Sequence, residues 1–248
     1  MTTDADLVVE QRGAGRWLRL NRPAKRNAMT RAMADRLRHE LASTAEDPEV
    51  AALVITGTGT EAFSAGADRA EVFDGPTATL TEKRTRPLWP VEELFDYPKP
   101  IIAAVNGPAF GGGATLAMAT DLRIAVPTAT FTFGLAKVGL TPEFGSSYLL
   151  WRQVGYSLAL ELMLTGRQVS ADEALQQRLV NQVVPSAAEL DTTVRELVVQ
   201  LASLPHGAAA ATKAVLRSGL DTTTFAESRR AELRALASQA AKFGAGGP

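Results

Sequence analysis

The chain has no cysteine among its 248 residues. That absence excludes disulfides, thiolate nucleophiles and cysteine-held zinc or iron–sulfur centres together. Histidine is almost as scarce. His39 falls within a polar helical face and His206 follows a proline, and with only these two neither a histidine metal site nor a Ser-His pair is indicated. Ser64, Ser146 and Ser147 sit in no G-x-S-x-G elbow. Metal-free chemistry is the default. An excess of either charge is also missing: 26 basic against 27 acidic side chains leave a formal net charge of −1, so no strongly basic field for nucleic acid or anionic membrane is implied. Between Arg12 and Arg38 nine basic residues do face Asp35 alone. A solvated face explains most such runs, and with Trp17 as its one aromatic the segment has little of a nucleic-acid site. No apolar run is long enough to cross a bilayer, and the start MTTDADLVVEQ has no basic segment leading into an apolar one. A cytoplasmic chain is expected.

What is present is 46% hydrophobic residues in a length that suits one large α/β domain, alone or with a small appendage. LVVEQ and RWLRL flank RGAG and predict a β-hairpin at a sheet edge. Thr30 is the expected N-cap of the helical pattern TRAMADRLRHELASTAE. AALVITG and PIIAAVNG are continuous β-branched runs ended by glycine, as in buried parallel strands. DLRIAV and TFTFG predict shorter strands, and from Gly145 to VNQVVP the pattern is almost wholly helical. Helix starts are expected at two capping boxes, Ser170 with Glu173 and Ser186 with Glu189, and after the break from Pro205 to Gly207. Asp121 is expected to cap or pair locally, and Trp89 and Trp151 to lie in the core or in the wall of an acyl pocket.

The segment GPAFGGGATLAMATD, residues 107 to 121, puts three glycines at a strand-to-helix junction. A phosphate cradle is excluded, because a P-loop needs Gly-Lys-Ser/Thr at the helix start and here the glycines are followed by Ala114 and Thr115, with no lysine. Two readings stay open. Glycines let a helix pack closely on a strand; they also let a carbonyl oxygen reach the free N–H groups of a helix start, as in an oxyanion site. AFSAGADRAE, residues 62 to 71, is a second small-residue turn after a strand. Two such turns at the ends of neighbouring parallel strands can aim two N–H groups at one point.

NRPAKRNAM, AFSAGAD, KPIIAAVNGPAFGGGATLAMATDLRIA and KVGLTPEFGSSYLL, in that order, resemble the four signature blocks of the crotonase, or enoyl-CoA hydratase/isomerase, superfamily. The resemblance implies an α/β fold, a spiral of ββα units with a helical C-terminal region that trimerises. It divides the chain into a core at 1–190 and a helical region at 191–248. It also implies an acyl-CoA thioester as substrate, with coenzyme A part of the substrate and no other cofactor, and assembly as a homotrimer or dimer of trimers. By position, the oxyanion N–H groups fall on Ala67 and Gly112, and substrate or CoA contacts on Lys25, Arg26, Ala28, Ala65, Asp68, Gly111 and Leu135. Family hydratases carry two glutamates where this chain has Thr115 and Leu135. Neither side chain takes a proton at neutral pH. Glu143 stands where certain 3-enoyl-CoA isomerases of the family carry their single base. The expectation is therefore an isomerase using Glu143, with a hydratase of rearranged base and a non-catalytic acyl-CoA binder as alternatives. Family members commonly end in a segment that reaches a neighbouring CoA site, a part for which Lys242 and Phe243 are the candidates here.

Overall fold

The computed structural model describes residues 6–68, 70, 89–139, 141–142, 144–221, 230 and 234. The expected hairpin forms from β1 (Leu7–Arg12) and β2 (Gly15–Leu20), paired antiparallel with Leu7 opposite Leu20. Helix α1 (Arg31–Thr44) starts as expected, the Thr30 hydroxyl accepting the Met33 N–H at 3.2 Å. The chain then leads to β3 (Ala52–Gly57), which runs parallel to β2.

Helix α2 (Val91–Asp96) leads into β4 (Ile101–Val105), every residue of which is buried. β3 and β4 are parallel neighbours, with Leu53 opposite Ile101 and Thr56 opposite Ala104, so both strands end side by side. A continuous apolar run suits a strand covered on both faces. β5 (Ala109–Phe110) is two residues long and passes at once into α3 (Gly112–Ala119), which is small or apolar all round and buried throughout. A helix with no polar stripe belongs inside the protein.

β6 (Leu122–Ala125) adds to the main sheet, and β9 (Gln182–Val183) closes it, giving the order β1-β2-β3-β4-β6-β9. β5 joins a second small sheet with β7 (Thr130–Thr132) and β8 (Gln168–Ser170). β8 corrects the expectation of an almost wholly helical stretch after Gly145. Only three residues long, it separates α4 (Ser146–Val154) and α5 (Tyr156–Thr165) from α6 (Ala171–Gln176), and it is specified by its antiparallel pairing with β7.

Helices α6 and α7 (Ala187–Ala202) begin at the expected caps, Ser170 and Ser186 accepting the N–H groups of Glu173 and Glu189, both at 3.2 Å. The boundary expected at residue 190 falls inside α7, whose Leu190, Val194 and Val198 are buried in the common core. Helix α8 (Ala208–Asp221) follows the Pro205–Gly207 break. It is tied to the core by Asp121, and this is a second correction. That carboxylate accepts from the Ile101 N–H at 2.8 Å and pairs with Lys213 and Arg217, both at 2.7 Å, across the fold rather than locally. Trp89 is buried, but Trp151 is 43% exposed, with the Arg152 guanidinium 4.5 Å from its ring centre.

Candidate active site

The turns after β3 and β4 are brought together by paired loops. Arg26 and Asn27 both have positive φ, 49° and 55°, which folds the Arg22–Thr30 segment back on itself. Asn27 tolerates that conformation and is fully buried, its amide donating to Thr58 O at 3.0 Å and Ala62 O at 2.8 Å. Ala65 N–H donates to Arg26 O at 2.8 Å, and the Ser64 hydroxyl to Asn27 O at 2.9 Å. From the β4 side, Asn106 accepts the Gly57 N–H at 2.9 Å and donates to Gly59 O at 2.7 Å.

Two N–H groups emerge from this packing with defined directions. Gly66 O accepts the Met29 N–H at 2.8 Å, and Asp68 N–H donates to Met29 O at 2.9 Å. In a trans peptide the N–H opposes the C=O of the same unit, so the Ala67 N–H points away from Met29. The same logic applies at the glycine run. Gly111 O accepts the Thr115 N–H at 3.0 Å along α3, which turns the Gly112 N–H out of the helix start. Among the described residues neither N–H meets an acceptor. The two turns pack closely: a Cβ placed on Gly66, the residue before Ala67, would be 3.2 Å from the Gly112 nitrogen.

The glycines have packing work as well. Gly111 has φ +52°; a Cβ on Gly112 would meet Trp89 Nε1 at 2.7 Å, and one on Gly113 would meet Ser64 O at 2.2 Å. The two readings of the run are therefore compatible. Close approach requires the glycines, and the same approach leaves a free N–H at the helix start.

Thr115 and Leu135 share one small cavity of about 10 Å³ with Gly111, Phe133, Ala136, Pro142, Ser146 and Met163. Thr115 is buried and its hydroxyl donates to Gly111 O at 3.3 Å. No carboxylate lines this cavity among the described residues. Glu143, Lys242 and Phe243 lie outside the described residues, but the neighbours of Glu143 are placed. Pro142 lines the cavity, and Phe144 and Gly145 have φ +56° and +75°. Phe144 packs edge-on to Trp89 at 5.9 Å.

Of the remaining candidates, Lys25 and Arg26 are exposed at the end of the short helical turn Pro23–Lys25, and Ala28 is buried just beyond it. Ala65 and Asp68 border Ala67 on the opposite loop. The Asp68 carboxylate is engaged, accepting from Arg22 at 2.7 Å and from the Ala70 N–H at 3.0 Å. The Arg22 hydrogen bond holds its carboxyl below the usual carboxylate range. Sequence reasoning passed over Arg22, Asn27 and Asn106. The one local signal was asparagine's tolerance of positive φ at Asn27.

Residues 16–244 match the family described as enoyl-CoA hydratase/isomerase. The chain is 39% identical over 224 residues to a protein of Mycobacterium tuberculosis named as a probable enoyl-CoA hydratase, covering 86% of this chain and 77% of that one. The crystal structure of an enoyl-CoA hydratase from Bacillus anthracis superposes with a TM-score of 0.88 at 29% identity, covering 94% of this chain and 90% of that one. A monofunctional enoyl-CoA isomerase from M. smegmatis superposes with a TM-score of 0.75 at 33% identity, covering 90% and 97% respectively.

Proposed function

The chain belongs to the enoyl-CoA hydratase/isomerase family, and from that premise we propose that it moves a double bond, converting a 3-enoyl-CoA to a 2-enoyl-CoA. The Ala67 and Gly112 N–H groups hold the thioester oxygen. Glu143 takes a proton from carbon 2, the electron pair spreads over the thioester as an enolate, and the same carboxyl returns the proton to carbon 4. No atom is gained or lost. The loop carrying Lys25, Arg26 and Ala28 and the facing Ala65 border the coenzyme A portion of the substrate.

The observation that carries this reading is the shared cavity of Thr115 and Leu135. Adding water calls for a pair of acid–base groups around it, and the two positions converge without a carboxylate lining the cavity among the described residues. Moving a proton between carbons needs one base. The hydratase names of two of the relatives favour water addition, so the test separates the two reactions. The purified protein is incubated with 3-hexenoyl-CoA and, separately, 2-hexenoyl-CoA. Conjugation of the 3-enoyl ester without change of mass is expected; a gain of one water from the 2-enoyl ester would replace the isomerase reading with the hydratase one. Binding of both esters with neither reaction would favour a non-catalytic binder.

Assembly as a homotrimer or dimer of trimers is part of the same proposal. It is supported by an apolar stripe on α5, where Tyr156, Leu160 and Leu164 recur every four residues and are 68%, 42% and 63% exposed. Light scattering reads the assembly directly.

A further inference from the structure

We propose that Arg22 is a positioning residue for the Ala67 N–H, acting through Asp68; the inference rests on the reading of Ala67 as an oxyanion donor. Among the described residues the backbone at Ala67 is paired through one bridge to Met29, made by Met29 N–H to Gly66 O and Asp68 N–H to Met29 O, while its side chain packs against the core. Two hydrogen bonds on one side of a short extended segment set its direction, but they leave its twist and its distance from α3 to whatever fixes the flanking residues. One guanidinium nitrogen fixes both flanks. Arg22 Nη1 donates to Ala28 O at 2.8 Å, next to Met29, and to Asp68 Oδ2 at 2.7 Å, next to Ala67.

Arg22 is itself anchored. Its N–H donates to the Asn27 carboxamide at 3.1 Å, and its carbonyl accepts from the Lys25 and Asn27 N–H groups, both at 2.9 Å. The Arg22 and Asp68 side chains are 18% and 15% exposed, so the pair is shielded enough for a charge-assisted bond to hold its geometry. The other Asp68 oxygen accepts the Ala70 N–H at 3.0 Å, which continues the restraint past the turn. A general structural clamp would sit anywhere along these loops. This one spans the two residues beside the bridge that aims a free N–H.

Misplacing one oxyanion donor weakens carbonyl polarisation without removing binding contacts elsewhere on the ester. The test reads that polarisation directly, in Glu143→Gln protein so that turnover is slowed while the ester is bound. The protein is loaded with 2-hexenoyl-CoA carrying ¹³C at the thioester carbonyl, and the infrared carbonyl stretch is compared free and bound. The protein with Arg22 intact should shift the stretch to lower frequency. Arg22→Met should lose a large part of that shift with ester affinity changed less than about threefold, and Arg22→Lys should recover some of it. Asp68→Asn, which keeps the shape of the side chain and weakens only the charge, should fall between and covers the case in which Arg22→Met does not fold. With Glu143 intact, Arg22→Met should lower kcat roughly tenfold to a hundredfold with KM nearly unchanged. A full shift retained in both Arg22→Met and Asp68→Asn overturns the inference and leaves the oxyanion reading standing. No shift with Arg22 intact overturns both.

Discussion

Thr115 and Leu135, one from the buried helix α3 and one from the turn after β7, line the same cavity of about 10 Å³ beside Gly111. Whatever proton transfer the site performs must come from a group outside that pair, and in the proposed reaction that group is Glu143, which follows the cavity-lining Pro142 in sequence. Glu143→Gln should therefore lower isomerase turnover by about 10²–10⁴-fold, the usual worth of one general base. The affinity for a CoA ester, read by calorimetry, should stay within a few-fold. Retained isomerisation would remove Glu143 from the mechanism.

The glycine run can be dissected by adding single methyl groups. A Cβ on Gly113 would meet the Ser64 carbonyl oxygen at 2.2 Å, and main-chain atoms there cannot swing aside. Gly113→Ala should destabilise the protein by about 1–3 kcal/mol or more in urea melts. Gly139 is the contrast: it has φ +74° but nothing within 4 Å of a built Cβ. Gly139→Ala should cost only about 1 kcal/mol, the conformational part alone. Equal losses at both positions would mean that Ser64 yields and close approach is not what the run provides.

Local signals were legible in the chain and contacts across it were not. β4 is buried throughout and β3 at every residue but Thr56, the hairpin turns on Gly13, and Thr30, Ser170 and Ser186 are caps that read from their own neighbourhoods. β8 has three residues and no pattern of its own, because its partner β7 supplies the reason for it. Asp121 looked like a local cap since nothing nearby in sequence announces Lys213 and Arg217. At the site, the order of the four motifs pointed to Ala67 and Gly112, both of which carry free N–H groups among the described residues. The Arg22–Asp68 bond joins residues 46 positions apart. No periodicity could have shown it.

The Thr30 cap offers a calibration remote from the chemistry. Its hydroxyl accepts the Met33 N–H at 3.2 Å in a buried position at the start of α1. Thr30→Ala leaves that N–H without its partner and should cost about 1 kcal/mol, within the range of about 0.5–2 known for helix caps. Chemical denaturation should show the change in midpoint without a change in slope. A loss near zero would mean that the first turn of α1 is held by packing of Met33 and Ala34 alone.

Lys213 sets the alkaline side of the stability profile. Burial pushes its ammonium down from 10.5 to about 8, against the pull of Asp121. An unfolded chain keeps this proton until about pH 10.4, so between roughly pH 8 and 10.4 the unfolded state binds more protons than the folded one. Stability must then rise with pH across that window. Tyr97 works in the opposite direction at higher pH. Burial pushes its phenol up to about 12, so the unfolded state loses its proton first and stability falls above about pH 10. The folded protein should be most stable near pH 10 as far as these two groups decide it. Lys213→Met isolates the first: Asp121 keeps Arg217 and the Ile101 N–H, and the buried ammonium is gone. The variant should be at least as stable as the parent at pH 7, and its advantage should shrink as the pH approaches 10.4. A loss of several kcal/mol at pH 7, recovered at no higher pH, would show instead that the Lys213–Asp121 attraction outweighs the desolvation of the ammonium and that α8 is held by charge.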